Sequence, residues 1–69
     1  MNRTPVNSSN VASVGYEAES STLEVEFTNG NLYQYFDVPA AVFESVMASP
    51  SIGTALNQAV KGQYRYARI

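Results

Sequence analysis

Alternation of apolar and polar positions is clearest in residues 23–27, LEVEF, where it has the period of a strand with one buried face and one wet face. The pair Asn29-Gly30 follows, and both residues tolerate the positive φ angles that tight hairpin turns need. Residues 31–36 are rich in aromatic side chains, which suit a pleated surface. The pattern predicts two antiparallel strands joined at Asn29-Gly30.

The length of this turn decides which way the two tyrosines of the second strand face, because a shift of one residue moves every side chain to the opposite face. A two-residue loop places Tyr33 and Tyr35 opposite the two glutamates, on the wet face. A three-residue loop with a glycine bulge places them opposite Val25 and Leu23, on the apolar face. Exposed tyrosines would form a stacking platform for bases, whereas buried ones would be core aromatics. Alternation alone leaves both registers open.

Two helices are predicted after the hairpin. Asp37 is placed to cap the first, and Pro39 is tolerated in its first turn, where no N–H is needed. Pro50 separates the helices, and Ser49 or Ser51 caps the second. Their apolar stripes are Val42, Phe43, Val46 and Met47 in the first, and Ile52, Ala55, Leu56, Ala59 and Val60 in the second. Both stripes have the spacing of a helix that packs on a sheet.

The chain before the hairpin divides into two parts. Residues 1–10 are polar and predict a flexible N-terminal arm in front of a single domain at residues 11–69. The domain begins with a short strand that places Ala12, Val14 and Tyr16 on one face.

After the second helix, Gly62 suits a left-handed helix stop. Residues 63–69, QYRYARI, alternate tyrosines with Arg and Ala, which fits a closing strand or an ordered tail. The predicted fold is therefore of the α+β class, a three-stranded or four-stranded antiparallel meander with two helices packed on one face.

Composition narrows the chemistry open to these 69 residues. Histidine and cysteine are absent, which removes the usual general base, thiolate nucleophiles and the common zinc sites, and a cysteine-free chain fits a reducing cytoplasm. Glu24 and Glu26 share a strand face, which fits either a carboxylate pair or a solvated surface. No apolar run approaches the ~20 residues of a membrane span. We therefore expect no enzyme, no metal or cofactor site and no membrane anchor.

Charge is unevenly distributed along the chain. The net charge is −2, yet the last nine residues carry three cations, Lys61, Arg65 and Arg68. These cations and the adjacent tyrosines, Tyr64 and Tyr66, suit single-stranded nucleic acid, whose bases stack on rings while phosphates pair with cations. Solvated tail charge, or an edge strand kept soluble by arginines, explains the same pattern. An acidic total charge is also unlike most nucleic-acid-binding domains.

The ordered set of features resembles the KTSC domain family, named for the C-terminal extension of some lysyl-tRNA synthetases. The family pattern is a G-Y pair, L-x-V-x-F, a glycine turn, Y-x-Y, V-P, an S-x-G before the second helix, and a late tyrosine. The matching residues, spread over residues 8–66, are Gly15, Tyr16, Leu23, Val25, Phe27, Gly30, Tyr33, Tyr35, Val38, Pro39, Ser51, Gly53, Asn57, Val60 and Tyr64. Two positions depart from the family: Leu56 replaces a usual aromatic residue, and Phe36 replaces a residue that is more often small or polar.

The resemblance implies a structural role for Tyr16, Tyr33 and Tyr35, the last two facing the core. It also implies RNA binding, which has been suggested for the family from its attachment to a tRNA synthetase. Two hypotheses result. One is a small non-catalytic module that binds RNA, and the other is an assembly module that binds another protein, or its own copy, through a sheet edge or the open sheet face. The RNA contacts would be Lys61, Tyr64, Arg65, Tyr66 and Arg68.

Overall fold

Within residues 3–69, which are the residues that the computed structural model describes, five antiparallel strands form one sheet and two helices pack on one of its faces. The strands are β1 (Arg3–Pro5), β2 (Val11–Glu17), β3 (Thr22–Phe27), β4 (Leu32–Tyr35) and β5 (Tyr66–Arg68). The helices are α1 (Ala40–Ala48) and α2 (Ile52–Ala59), which lie between β4 and β5 in the chain. The strand order across the sheet is the order in the sequence. No helix in this range is long and apolar enough to cross a membrane.

The α+β class is confirmed, but the sheet has five strands where three or four were predicted. One additional strand, β1, comes from residues predicted as an arm, and it pairs with β2 from Gly15 to Ser13. Met1 and Asn2 of that arm lie outside the described residues. All three residues of β1 are exposed, so it shows no apolar alternation that a sequence pattern would reveal. The other additional strand, β5, pairs with β4. The C-terminal residues, for which a closing strand and an ordered tail were both predicted, therefore form a strand.

The β3–β4 hairpin adopts the three-residue loop. Leu23 pairs with Tyr35 and Val25 with Tyr33, so both tyrosines lie on the face that the helices cover. Tyr35 is only 3% exposed, and Tyr33 is half-buried. The second register, with the tyrosines opposite the glutamates, is therefore not the one that forms.

The loop itself explains this register. The amide of Phe27 donates to the carbonyl of Asn31 at 2.9 Å, which makes these two residues the last pair before the turn. Gly30 has φ +91°, a left-handed conformation in which a β-carbon would crowd the backbone. A glycine at the third loop position therefore allows the chain to reverse without shifting the strands by one residue.

The core lies between the sheet and the two helices, and the predicted helical stripes face it. Val46 of α1 and the pair Ile52 and Leu56 of α2 are buried. The buried hydrophobic residues are Val11, Val14, Leu23, Val25, Tyr35, Val38, Val46, Ile52, Leu56 and Val60. A bulge between Val11 and Ser13 brings Val11 into this core, where simple alternation had placed Ala12.

The helix termini differ in part from prediction. Asp37 does not cap α1: Pro39 occupies the N-cap position, and the Asp37 carboxylate accepts a hydrogen bond from Arg65 instead. Ser51, one of the two serines predicted, occupies the N-cap position of α2, but its hydroxyl donates to the Thr54 hydroxyl at 2.9 Å and makes no capping hydrogen bond. Gly62 has φ +79°, the left-handed conformation expected just after the second helix.

Candidate functional site

A groove of about 420 Å³ lies on the helix-covered side of the sheet, at the end formed by β4 and β5. Its lining residues are Phe27, Asn29, Asn31, Tyr33, Tyr35, Lys61, Gly62 and Tyr66, and we call it the aromatic groove. Four of these eight residues are aromatic, which makes ring contact its main chemical property.

Strand alternation and register bring these rings together from distant parts of the chain. Tyr35 pairs with Tyr66 across β4 and β5, so both side chains lie on the same face. The ring centroids of Tyr66 lie 5.7 Å from those of Tyr33 and Tyr35, and the Phe27 ring meets Tyr33 edge-on at 5.5 Å. These separations are within the range of favourable aromatic pairs.

Exposure increases along this row of rings, from the core to solvent. Tyr35 is buried, Tyr33 is half-buried and Tyr66 is 61% exposed. Burial raises the pKa of Tyr35 above its ordinary value of 10.0, with smaller contributions from the adjacent Tyr33 and Tyr66. Tyr66 therefore offers the most ring surface to a ligand, while Tyr35 anchors the row in the core.

Two cations accompany the rings. The Nζ atom of Lys61 lies 4.9 Å from the centroid of the Phe27 ring, a cation–π geometry at the edge of the groove. Arg68 pairs with Tyr33 across β4 and β5, which places it on the same side of the sheet as Tyr66. Of the five residues predicted from the sequence as RNA contacts, the structure thus brings Lys61, Tyr66 and Arg68 to one side of the sheet.

The other two predicted residues, Tyr64 and Arg65, do not line the aromatic groove. The guanidinium of Arg65 donates to the carboxylate of Asp37 at 2.9 Å and lies 5.8 Å from the ring centroid of Phe36. Tyr64 is half-buried and packs against the core. Both line a second, more open depression beside Phe36, which adjoins the aromatic groove because Gly62 and Tyr66 line both. Spacing in the sequence cannot separate Arg65 from Lys61, because their distance in space depends on how β5 pairs with β4.

Sequence reasoning missed Phe27 as a lining residue. It also treated Tyr33 and Tyr35 as either core residues or exposed residues, whereas the row of rings extends from the buried Tyr35 through the half-buried Tyr33 to the exposed Tyr66. The signal for Phe27 was its position at the end of LEVEF, directly before the turn. Only the three-residue register places that position beside Tyr33.

Glu24 and Glu26 lie on the opposite face of the sheet, and each accepts hydrogen bonds from different residues. Glu24 is 8% exposed, and its carboxylate accepts hydrogen bonds from Arg3 at 2.6 Å and from Gln34 at 2.9 Å. The Gln34 bond, followed by Arg3, holds the pKa of Glu24 below its usual value against the opposing effect of burial. Glu26 accepts from the Ser13 hydroxyl at 3.0 Å. Glu24 is thus not solvated as a surface strand residue would be, and its partners explain why its charge is tolerated.

Residues 3–69 contain no group of three or more acidic, histidine or cysteine side chains placed to hold a metal ion.

Tyr16, the first of the motif aromatics, connects the sheet to α1. Its hydroxyl donates to the carbonyl of Val38 at 2.5 Å, and its ring stacks on Phe43 with a centroid separation of 5.1 Å. Tyr16 therefore holds the hairpin exit and α1 against β2.

The amino-acid sequence is similar to those of several known proteins. An uncharacterized protein of Stutzerimonas stutzeri is 44% identical over 70 residues, which are 100% of this chain and 99% of that protein. A lysine–tRNA ligase of Nostoc punctiforme is 37% identical over 54 residues, which are 78% of this chain but 10% of the ligase. The chain thus matches a small part of the ligase and nearly all of the Stutzerimonas protein.

Comparison with solved structures also finds a protein that is similar over nearly the whole chain. The crystal structure of a KTSC domain protein from Yersinia pestis superimposes with a TM-score of 0.93 at 33% sequence identity, over 99% of this chain and 96% of that one. The family model of the KTSC domain matches residues 7–64, the stretch that contains β2 to β4 and both helices. The family model and the similarity to the Yersinia pestis structure show that the chain belongs to the KTSC domain family.

Proposed function

We propose that this domain is a small, non-catalytic binding module whose ligand is single-stranded RNA, held in the aromatic groove. The observation that supports it most directly is the exposed ring of Tyr66 beside Tyr33, with Lys61 and Arg68 on the same side of the sheet. Stacking of a base on an aromatic side chain contributes roughly 1–3 kcal/mol and tolerates any sequence. Cations next to such rings provide the phosphate contacts.

The dimensions of the groove favour a single strand over a duplex. Its volume of about 420 Å³ lies within the ~300–1,000 Å³ range of small-ligand sites. Such a groove admits an unstacked base, whereas a duplex presents its bases edge-on in grooves that a protein reads mostly by shape. Single-stranded RNA has bases available for this kind of contact.

The local charge supports the same ligand in spite of the acidic total. Three of the four cations of the chain lie in its last nine residues, which include β5, and the six carboxylates all precede residue 45. Two of these three cations, Lys61 and Arg68, lie on the side of the sheet that carries the aromatic groove. The relatives named lysine–tRNA ligase agree by analogy, since their name associates this domain with tRNA, and with it we propose a cytoplasmic location.

Fluorescence anisotropy with short labelled single-stranded RNAs, measured over a salt series, tests the proposal. Binding that uses Lys61 and Arg68 should weaken with salt, with a slope of log K against log salt of roughly −1.4, since each phosphate contact on a single strand contributes about −0.7. An anisotropy that stays constant at low salt would refute RNA binding. Binding without a salt slope would refute the phosphate contacts.

Three variants locate the contact. Tyr66→Ala should reduce affinity roughly 5-fold to 150-fold, the equivalent of losing one stacked base. Lys61→Gln should weaken binding and flatten the salt slope. Arg65→Gln removes the same charge from a residue that does not line the groove and is paired with Asp37, so it should change neither. Equal losses for Lys61→Gln and Arg65→Gln would indicate diffuse attraction and exclude the groove. Far-UV circular dichroism of each variant verifies the fold.

A further inference from the structure

The two edges of the sheet differ in their capacity to accept another strand. At the β1 edge, the amide of Val6 donates to the carbonyl of Ala12 at 3.1 Å, so the backbone groups of Val6 point toward β2. Alternation in an antiparallel pair then directs the backbone of Pro5 outward. Proline has no N–H to donate, and natural sheets use it to block edge pairing. The β1 edge is thereby closed to strand addition.

The β5 edge, in contrast, is open to strand addition. The amide of Phe36 donates to the carbonyl of Arg65 at 2.9 Å, and the amide of Ile69 donates to the carbonyl of Leu32 at 2.8 Å. The backbone groups of Arg65 and Ile69 therefore point toward β4, and alternation directs those of Tyr66 and Arg68 away from the sheet. In residues 3–69 no further strand pairs with β5. Two amides and two carbonyls thus form an unpaired ladder.

We propose that this edge binds a second copy of the chain, by antiparallel pairing of β5 with the partner's β5 about a two-fold axis at Ala67. In this register Tyr66 of each copy lies opposite the partner's Arg68. Both residues have outward backbone groups, so each of these pairs exchanges two backbone hydrogen bonds. The two Ala67 residues form the closely spaced central pair, which their small side chains accommodate.

The side chains of β5 favour a copy of the same strand over a strand of arbitrary sequence. Tyr66 and Ile69, at 61% and 65%, are the exposed large hydrophobic residues of the described chain, and pairing reduces the exposure of both. Tyr66 meets the partner's Arg68, an aromatic ring against a cation. The other face pairs Arg65 with the partner's Ile69. A register centred on Arg68 instead would place two arginines opposite each other, which destabilises a strand pair.

This pairing closes after two copies. Within residues 3–69 the sheet has one open edge, at β5, while the β1 edge carries Pro5, so a third chain finds no open edge to extend. The product is a two-fold dimer with one continuous sheet, in which the interface is the same patch on both copies. The partner's Arg68 also reaches the end of the aromatic groove next to Tyr66, so each groove gains a cation from the other chain.

Sedimentation velocity of the purified chain from micromolar to millimolar concentration tests the dimer without any RNA. We expect the mass to rise with concentration from 7.5 kDa toward twice that value. Amide hydrogen exchange, measured in parallel, should show the Tyr66 and Arg68 amides slowing as the concentration rises, while the amide of Ile69, already bonded to β4, changes little. A mass of 7.5 kDa at every concentration would overturn the proposal and leave the edge to a different protein.

Matched variants identify the strand involved. Arg68→Pro removes an outward amide without touching the bonds to β4, so it should remain monomeric at every concentration and retain its circular dichroism spectrum. Arg68→Val removes the same cation but keeps the amide, and it should still dimerise. Tyr66→Pro is the second test of the ladder, should Arg68→Pro perturb the fold. A dimer as stable in both proline variants as in the wild type would show that β5 is not the interface.

Discussion

Replacing Tyr35 with alanine removes the ring that connects the core to the aromatic groove. The side chain is 3% exposed, lies opposite Leu23 on β3, and has its ring centroid 5.7 Å from that of Tyr66. Its truncation leaves a cavity bounded by the sheet and other rings, which cannot collapse without moving a strand.

The expected cost follows from the size and burial of this ring. Truncation of a buried Phe or Trp to alanine typically costs about 3–5 kcal/mol, and the tyrosine ring is of similar volume. A domain of 69 residues has a total free energy of unfolding of roughly 3–10 kcal/mol, at about 0.05–0.15 kcal/mol per residue. Tyr35→Ala should therefore remove a third or more of the stability, or unfold the domain outright.

Urea unfolding followed by far-UV circular dichroism measures this cost. With a slope near 1 kcal/mol per molar urea, typical of the smallest domains, the unfolding midpoint should fall by roughly 3 M or more. Tyr66→Ala is the matched control, because it deletes the same ring at a position that is 61% exposed, and it should cost less than about 1 kcal/mol. Equal costs for the two variants, or a cost below about 1 kcal/mol for Tyr35→Ala, would refute the three-residue register.

Three further predictions test the electrostatics and the turn. The pKa of Glu24 in the folded state lies below its usual value, so its ionised form stabilises the fold above the unfolded-state pKa. This stability is lost as the pH falls through the folded-state pKa. In urea unfolding below about pH 4.5, Glu24→Gln should therefore lose less stability than the wild type. The raised pKa of Tyr35 contributes stability below pH 10 that is lost as pH rises through the folded value, so an ultraviolet titration should show one late-ionising tyrosine that is missing in Tyr35→Phe. Gly30→Ala should cost roughly 1–2 kcal/mol in urea unfolding, from backbone conformation alone, since no atom beyond Gly30 and its two chain neighbours lies within 4 Å of the added carbon. An unchanged midpoint would contradict the glycine turn.

Local periodicity determined the elements that bury apolar side chains. LEVEF became β3, and the stripes around Val46 and Leu56 became the inward faces of the helices. These patterns are readable because a helix or strand with one buried face repeats its apolar residues at a fixed spacing. The α+β class and the resemblance to KTSC domains followed from the order of those same elements.

Tertiary structure decided what periodicity leaves open. Strands β1 and β5 lie at the sheet edges with every residue exposed. β1 therefore has no apolar repeat to detect, and the alternation around β5 fitted an ordered tail as well as a strand. The hairpin register depended on one residue of turn length, which only the pairing of Phe27 with Asn31 defines. The grouping of Lys61 with Tyr66, and not with Arg65, arises because the strand alternates its side chains between two faces. Local sequence patterns thus predicted the strands and helices that have a buried face. The pairing of the strands determined which of their side chains are in contact.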